Sequence, residues 1–138
     1  MTSNVDFAQL AEKLAGRDYA YLITVMESGH PNPVPVMPVL KGDTIHVTAI
    51  GGRKSRANLA RSKDVTVLWP PVTPGEYTVI CDGVAQVTDP GTPGDDALAS
   101  LTFVPSRAVL IRVATPASPG ETPCYSDCMD LKLTPQQA

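Results

Sequence analysis

Aromatic residues make up only 5% of this 138-residue chain: two Phe, one Trp and four Tyr. It is therefore short of the flat faces on which single-strand nucleic-acid binders stack bases. Charge is scarce as well, 18% of residues against the usual quarter or so, so part of the surface is expected to lie against something other than water. With a formal net charge of -3 and a pI of about 5.2, the chain lacks the basic balance of a general nucleic-acid binder. No stretch approaches the roughly 18 apolar residues that would span a bilayer, so no integral membrane segment is expected. Two histidines, His30 and His46, have no third ligand at metal spacing, and no zinc site is expected. Cysteine is limited to Cys81, Cys124 and Cys128, an odd number behind an N-terminus without a signal-peptide core, which predicts a reduced, cytoplasmic setting. The spacing of Cys124 and Cys128 fits neither a redox CxxC nor a zinc knuckle; free thiols are the default and a tail disulfide the alternative. No Ser-His-Asp arrangement is present, and Glu76 and Asp82 read as surface carboxylates rather than an acid–base pair.

What is present is enough apolar material, 43%, for one core in one domain spanning residues 1–138. Phe7, Leu10 and Leu14, with Asp6 before them and Gly16 after, predict an amphipathic helix with cap and stop. β-Branched and aromatic residues over 19–26, a breaker run over 28–33 and a second apolar segment over 34–40 predict a hairpin; Pro35 and Pro38 make that second strand an edge or a bulged one. Further strands are expected at 44–50, 65–69, 77–87 and 108–114, with Gly83 marking a bulge or close approach by a ligand. Helices are expected at 53–62 and, briefly, at 97–101. The tail from about 115 shows no period. About six antiparallel strands in hairpins, with two or three short flanking helices, predict a mostly-β, Greek-key-like small barrel.

One phrase concentrates chemistry: Gly51-Gly52-Arg53-Lys54-Ser55-Arg56-Ala57-Asn58-Leu59, at a predicted strand-to-helix junction. The first amides of a helix lack internal partners and lie at the positive end of its dipole, and glycines let a ligand reach the backbone. Arg and Lys add charge and forked donors. Either this is a solvated helix start or it is a phosphate site. Five of the eleven Lys and Arg residues fall within 53–63, a concentration in an acidic chain that favours the phosphate site.

The order of these elements resembles the flavin-binding split-barrel superfamily, which includes pyridoxamine 5'-phosphate oxidase-like proteins and deazaflavin-dependent reductases. The residues that carry the resemblance are Pro33-Val34-Pro35-Val36-Met37-Pro38-Val39, Gly52-Arg53-Lys54 through Asn58-Leu59, Asp64-Val65-Thr66-Val67-Leu68-Trp69, and the segment 77–83. It implies a split β-barrel and a homodimer with cofactor at the protomer interface. It also implies Arg53, Lys54 and Ser55 on the cofactor phosphate, with Arg56 and Asn58 close by. Met37, Pro38 and Val39 would present backbone groups beside the ring, Ile50 and Gly51 would line the approach, and Trp69 would stand near the cleft or, alternatively, in the core.

The chain departs from the family pattern in four places. Ser55, Arg56 and Ala57 put three residues, not the common two, between the turn lysine and the helix Asn. The basic residue on the 34–40 strand and the C-terminal aromatic and Arg/His signature of true pyridoxamine-phosphate oxidases are missing, so that reaction is not expected. The connection between 87 and 108 is short and rich in Pro and Gly. The resulting expectation is an FMN-binding oxidoreductase, with F420 as the alternative cofactor, moving hydride to a small-molecule substrate. A non-catalytic flavin carrier or sensor is the alternative function, and a small-barrel nucleic-acid binder stands behind it.

Overall fold

The computed structural model describes residues 7–91, 98–113 and 127–131. Ten strands and two helices lie among them. The order is α1 (Phe7–Leu14), β1 (Ala20–Val25), β2 (Pro31–Val36), β3 (Val39–Lys41), β4 (Thr44–Ile50), α2 (Arg53–Arg61), β5 (Asp64–Trp69), β6 (Thr78–Val84), β7 (Gln86–Asp89), β8 (Ala99–Phe103), β9 (Arg107–Arg112) and β10 (Asp127–Leu131). Every strand pairing is antiparallel. One sheet has the order β10-β9-β6-β5-β1-β2 and the other β3-β4-β8-β7. The chain changes sheet at Met37-Pro38 and again at Ala85, which makes the architecture a split barrel.

Period-2 patterning explains the core. In β1 Ala20, Leu22 and Thr24 are buried, and in β5 Val65, Val67 and Trp69 are buried, while their alternates face out. Ile45, Val47, Ile50, Leu101 and Phe103 from the smaller sheet meet them in one apolar cluster, to which α1 adds Phe7 and Leu10. Arg17, just beyond α1, donates to the Trp69 carbonyl at 3.2 Å. At Gly83 the two sheets lie in close contact: a Cβ there would stand 2.5 Å from Phe103 Cδ2. The approach anticipated at Gly83 is thus by a core ring of the same chain.

Several expectations are corrected. The helix expected at 97–101 is strand β8; Ala99, Leu101 and Phe103 are buried alternately, a two-residue period that lets β8 pair with both β4 and β7. The segment read as one strand over 77–87 breaks at Ala85, whose N–H donates to the Lys63 carbonyl at 2.6 Å. The strand expected at 34–40 likewise divides into β2 and β3. The tail read as irregular contains β10, held by its ladder to β9. Asp6, expected as a helix cap, and Cys124 lie outside the described residues, as does the side chain of Cys128.

Strand β2 is an edge, as its prolines require. Pro31, Pro33 and Pro35 pair with Val25, Ile23 and Tyr21. No described helix is long and apolar enough to cross a membrane.

Candidate anion site at the start of helix α2

The end of β4 is shaped for a sharp exit. Its ladder to β8 slips between Val47 and Ile50, and Ala49 within the slip has φ 56°, a left-handed conformation costly to a residue with a Cβ. Gly52 follows with φ 95° and serves as the N-cap of α2, with no side-chain cap hydrogen bond. The first intrahelical bond runs from Arg56 N–H to the Gly52 carbonyl at 3.3 Å. The amides of the preceding turn therefore have no acceptor within the helix. A Cβ on Gly52 would stand 3.7 Å from Ser55 Oγ, inside the concavity that the turn leaves open.

Arg53 and Lys54 are exposed at this turn, and Ser55 is buried beneath it. Ser55 Oγ accepts a hydrogen bond from Asn32 Nδ2 at 3.2 Å. One helical turn on, Asn58 is buried and donates to Thr24 Oγ1 at 3.0 Å, while its Oδ1 accepts from Arg61. Arg61 also donates to the Val25 carbonyl. These bonds pin α2 across the ends of β1 and β2 and fix where its amides point. No acidic residue stands in the first turn of α2, so backbone and side chains there offer an anion only donors and positive charge.

The structure brings Gly51, Arg53, Lys54 and Ser55 together and separates others from them. Trp69 is 1% exposed and Ile50 fully buried; alternation along β5 turns Trp69 inward, and the register slip after Val47 turns Ile50 inward where unbroken alternation would have placed Ala49. Only the backbone of Ile50 adjoins the turn, and Trp69 takes the core position that stood as its alternative. Asn58, one helical turn on, fastens the helix to β1 through Thr24. Arg56 is half-buried on the flank of α2. Met37, Pro38 and Val39 sit at the crossing from β2 to β3, with Met37 68% and Val39 51% exposed. Val39 pairs with His46, four residues before Ile50, so this crossing stands about 13 Å along β4 from the basic turn at 3.3 Å per residue.

Four residues at or beneath the turn escaped the sequence reading: Asn32, Thr24, Ala49 and Leu98. Leu98 is 52% exposed, and its Cδ2 would meet a Cβ on Gly51 at 3.9 Å, placing an apolar lip beside the glycines. No spacing rule links Asn32 to Ser55 or Thr24 to Asn58. Among the other residues weighed, His30 bonds Ser28 at 3.0 Å in an exposed turn. Asp82 is tied to Arg107 at 2.6 Å and to Thr66 at 2.7 Å. Burial and then the neighbouring Asp82 push the Cys81 thiol up to about 12. Among the described residues, no group of three or more His, Cys, Asp or Glu is placed to hold a metal.

The two sheets, the crossing at Met37-Pro38 and the capping helix define a protein with the split-barrel fold. Three solved structures share the architecture. A Clostridium acetobutylicum protein related to general stress protein 26, of the pyridoxinephosphate oxidase family, superposes with TM-score 0.62 at 13% identity over 76% of this chain and 87% of its own. An F420 reductase gives 0.57 at 18% identity, covering 70% and 94%. An FAD-binding protein of Mesorhizobium loti gives 0.55 at 13% identity, covering 74% and 89%. In sequence, this chain is 42% identical over 135 residues to the Mycobacterium bovis protein Mb0449c and equally to the Mycobacterium tuberculosis protein MT0457, covering 91% of this chain and 93% of each relative. It belongs to their family. Both relatives are described only as uncharacterized proteins, and no family model matches the sequence.

Proposed function

We propose that this chain binds FMN, with the phosphate at the first turn of α2, and works as a flavin-dependent oxidoreductase; F420 is the alternative cofactor. The observation that carries this reading is the turn itself: a glycine N-cap at the positive end of the helix dipole, with Arg53 and Lys54 beside it and no acidic residue in the first turn. Such a donor set suits an anionic group such as a phosphate dianion. The F420 reductase and the FAD-binding protein named above support the choice of a flavin-type group, because they use the same fold.

When bound, the flavin supplies hydride transfer, and the chain's residues hold and orient it. Arg53, Lys54 and the amides of 53–55 hold phosphate. Asn32, Ser55, Thr24 and Asn58 keep those amides in place. The exposed apolar residues Met37, Val39 and Leu98 offer hydrophobic contact to a flat ring system. The span of about 13 Å between the turn and the β2–β3 crossing suits an elongated ligand lying along β4.

A homodimer completes the proposal. On the outer face of the larger sheet, Pro35, Tyr21, Leu68 and Ile80 are consecutive Cα partners across four strands, with Val25 and Tyr19 also exposed. A second copy would cover this apolar row. Sedimentation of the wild type as a dimer, and of Tyr21→Glu with Val25→Glu as a monomer, is the expected result.

The cofactor is tested by visible absorption of the purified protein, alone and titrated separately with FMN and F420. Saturable binding of one of them, lost in Arg53→Ala with Lys54→Ala, is expected. Failure of both to bind at micromolar concentration would overturn the flavin reading. Reduction of the loaded protein by NAD(P)H, followed by reoxidation with a small acceptor, separates an enzyme from a carrier.

A further inference from the structure

A cavity of about 400 Å3 lies on the flank of α2 that faces β7, lined by Arg56, Leu59, Ala60, Lys63, Val87 and Pro90. Its volume is within the range of small-molecule pockets. Neither Arg53, Lys54 nor Ser55 contributes to it. Arg56, Leu59 and Ala60 recur at i, i+3 and i+4 on one face of α2 and, with Lys63 just past its end, form one wall; the β7 strand with Pro90 forms the other. Leu59, Ala60, Val87 and Pro90 make the body of the cavity apolar. The charged groups on its lining are both cations, and no carboxylate lines it.

Lys63 sits just past the helix end and donates from Nζ to the Leu59 carbonyl. That bond draws the ammonium of this exposed residue back toward the helix end at the rim of the cavity, and an ammonium retains two further donors. Arg56 lies two turns away, about 10 Å at 1.5 Å per residue. A neutral hydrocarbon would fill the body but strip water from the ammonium without replacing it. An apolar molecule with an anionic end satisfies both parts of the lining.

We infer that this cavity is a second binding site, for a small molecule with an apolar body and one carboxylate-type anionic head seated at Lys63. It does not depend on what the turn at Gly51–Ser55 holds, because the two share no lining residue among the turn's donors.

The test is a titration of the full chain, labelled at Leu and Val methyls, with octanoate and separately with 1-octanol, read by NMR. Octanoate is expected to shift the Leu59 and Val87 methyls saturably, and 1-octanol to bind at least about fivefold more weakly, as the loss of one partly buried ion pair implies. Ala60→Trp, at an exposed helix position, fills the cavity and should abolish the shifts. Lys63→Met should weaken octanoate by a similar factor and leave octanol unchanged. The same spectra report whether each variant is folded. Equal binding of octanol and octanoate, absence of saturable shifts at Leu59 and Val87, unchanged binding in Ala60→Trp, or displacement of octanoate by FMN would each overturn the assignment.

Discussion

Asn32 Nδ2 donates to Ser55 Oγ at 3.2 Å, joining the proline-rich edge strand β2 to the first turn of α2 across 23 positions of sequence. Ser55 is 1% exposed, so its hydroxyl depends on protein partners. Because Asn32 supplies a donor, the single proton of Ser55 is left to point elsewhere. The bond therefore bears on both the stability of the turn and its readiness for an anion.

Asn32→Ala removes that donor and leaves a buried hydroxyl one partner short. The expected loss is about 1–2 kcal/mol in urea unfolding, in keeping with an unmet buried polar group. The same variant should weaken FMN binding although Asn32 itself is not placed at the turn. Wild-type affinity in a destabilised Asn32→Ala protein would show that the bond serves the fold alone.

The buried pair Asn58 and Thr24 is the second bolt on α2, at 3.0 Å. Asn58→Ala should cost about 1–3 kcal/mol, because Thr24 is left unpaired where water does not reach it. Adding Thr24→Val removes the orphaned hydroxyl and should recover part of the loss. A double-mutant cycle by chemical denaturation reads the coupling, and strictly additive losses would contradict the pairing.

At Gly83 the constraint is steric. The Cβ of Gly83→Ala would meet Phe103 Cδ2 at 2.5 Å and the Val104 carbonyl oxygen at 3.1 Å, and one of those neighbours is backbone. Overpacking of this kind costs about 1–3 kcal/mol. Phe103→Leu shortens the ring side of the clash and should make Gly83→Ala milder in that background than alone. Thermal melts of the four proteins measure this.

How much of this was legible beforehand depended on whether the signal was local. Gly51-Gly52 followed by good helix formers marked the turn and α2, since both a breaker and a propensity change lie within a few residues. Pro35 and Pro38 marked an edge or bulged strand because each lacks a ladder donor. Strand β8 was misread because Ala99, Ser100 and Leu101 are short and compatible with helix; only pairing with β4 and β7 decides them. Strand β10 carries Asp127 and Asp130 and shows no apolar alternation, so its ladder to β9 was invisible. Trp69 followed the alternation of Val65 and Val67 into the core, the local signal behind the core alternative that stood beside the cleft position the resemblance implied. Asn32 and Thr24 reach α2 through the fold, and no spacing in the sequence announces them.

Cys81 supplies a pH dependence whose sign is fixed by its burial. Desolvation first, and then Asp82, push its thiol from 9.0 up to about 12. A group whose pKa is raised on folding favours the native state fully below the unfolded value and progressively less above it, because the unfolded chain releases the proton first. Stability should therefore fall as pH rises above 9, with a Cys81 share of about 1.4 kcal/mol per pH unit until the folded value is approached. Tyr and Lys residues also titrate in this window, so the informative quantity is the difference between wild type and Cys81→Ala. Urea unfolding of both at pH 8, 9.5 and 10.5 should show the gap between them moving steadily against the wild type. A thiol reagent at pH 8 should leave Cys81 unmodified until the protein unfolds, since a protonated, buried thiol offers neither thiolate nor access. A constant gap across that range would mean that the thiol ionises in the folded protein as easily as in the unfolded chain, and hence that water reaches the strand pairing of Cys81 with Val67 and Ala108.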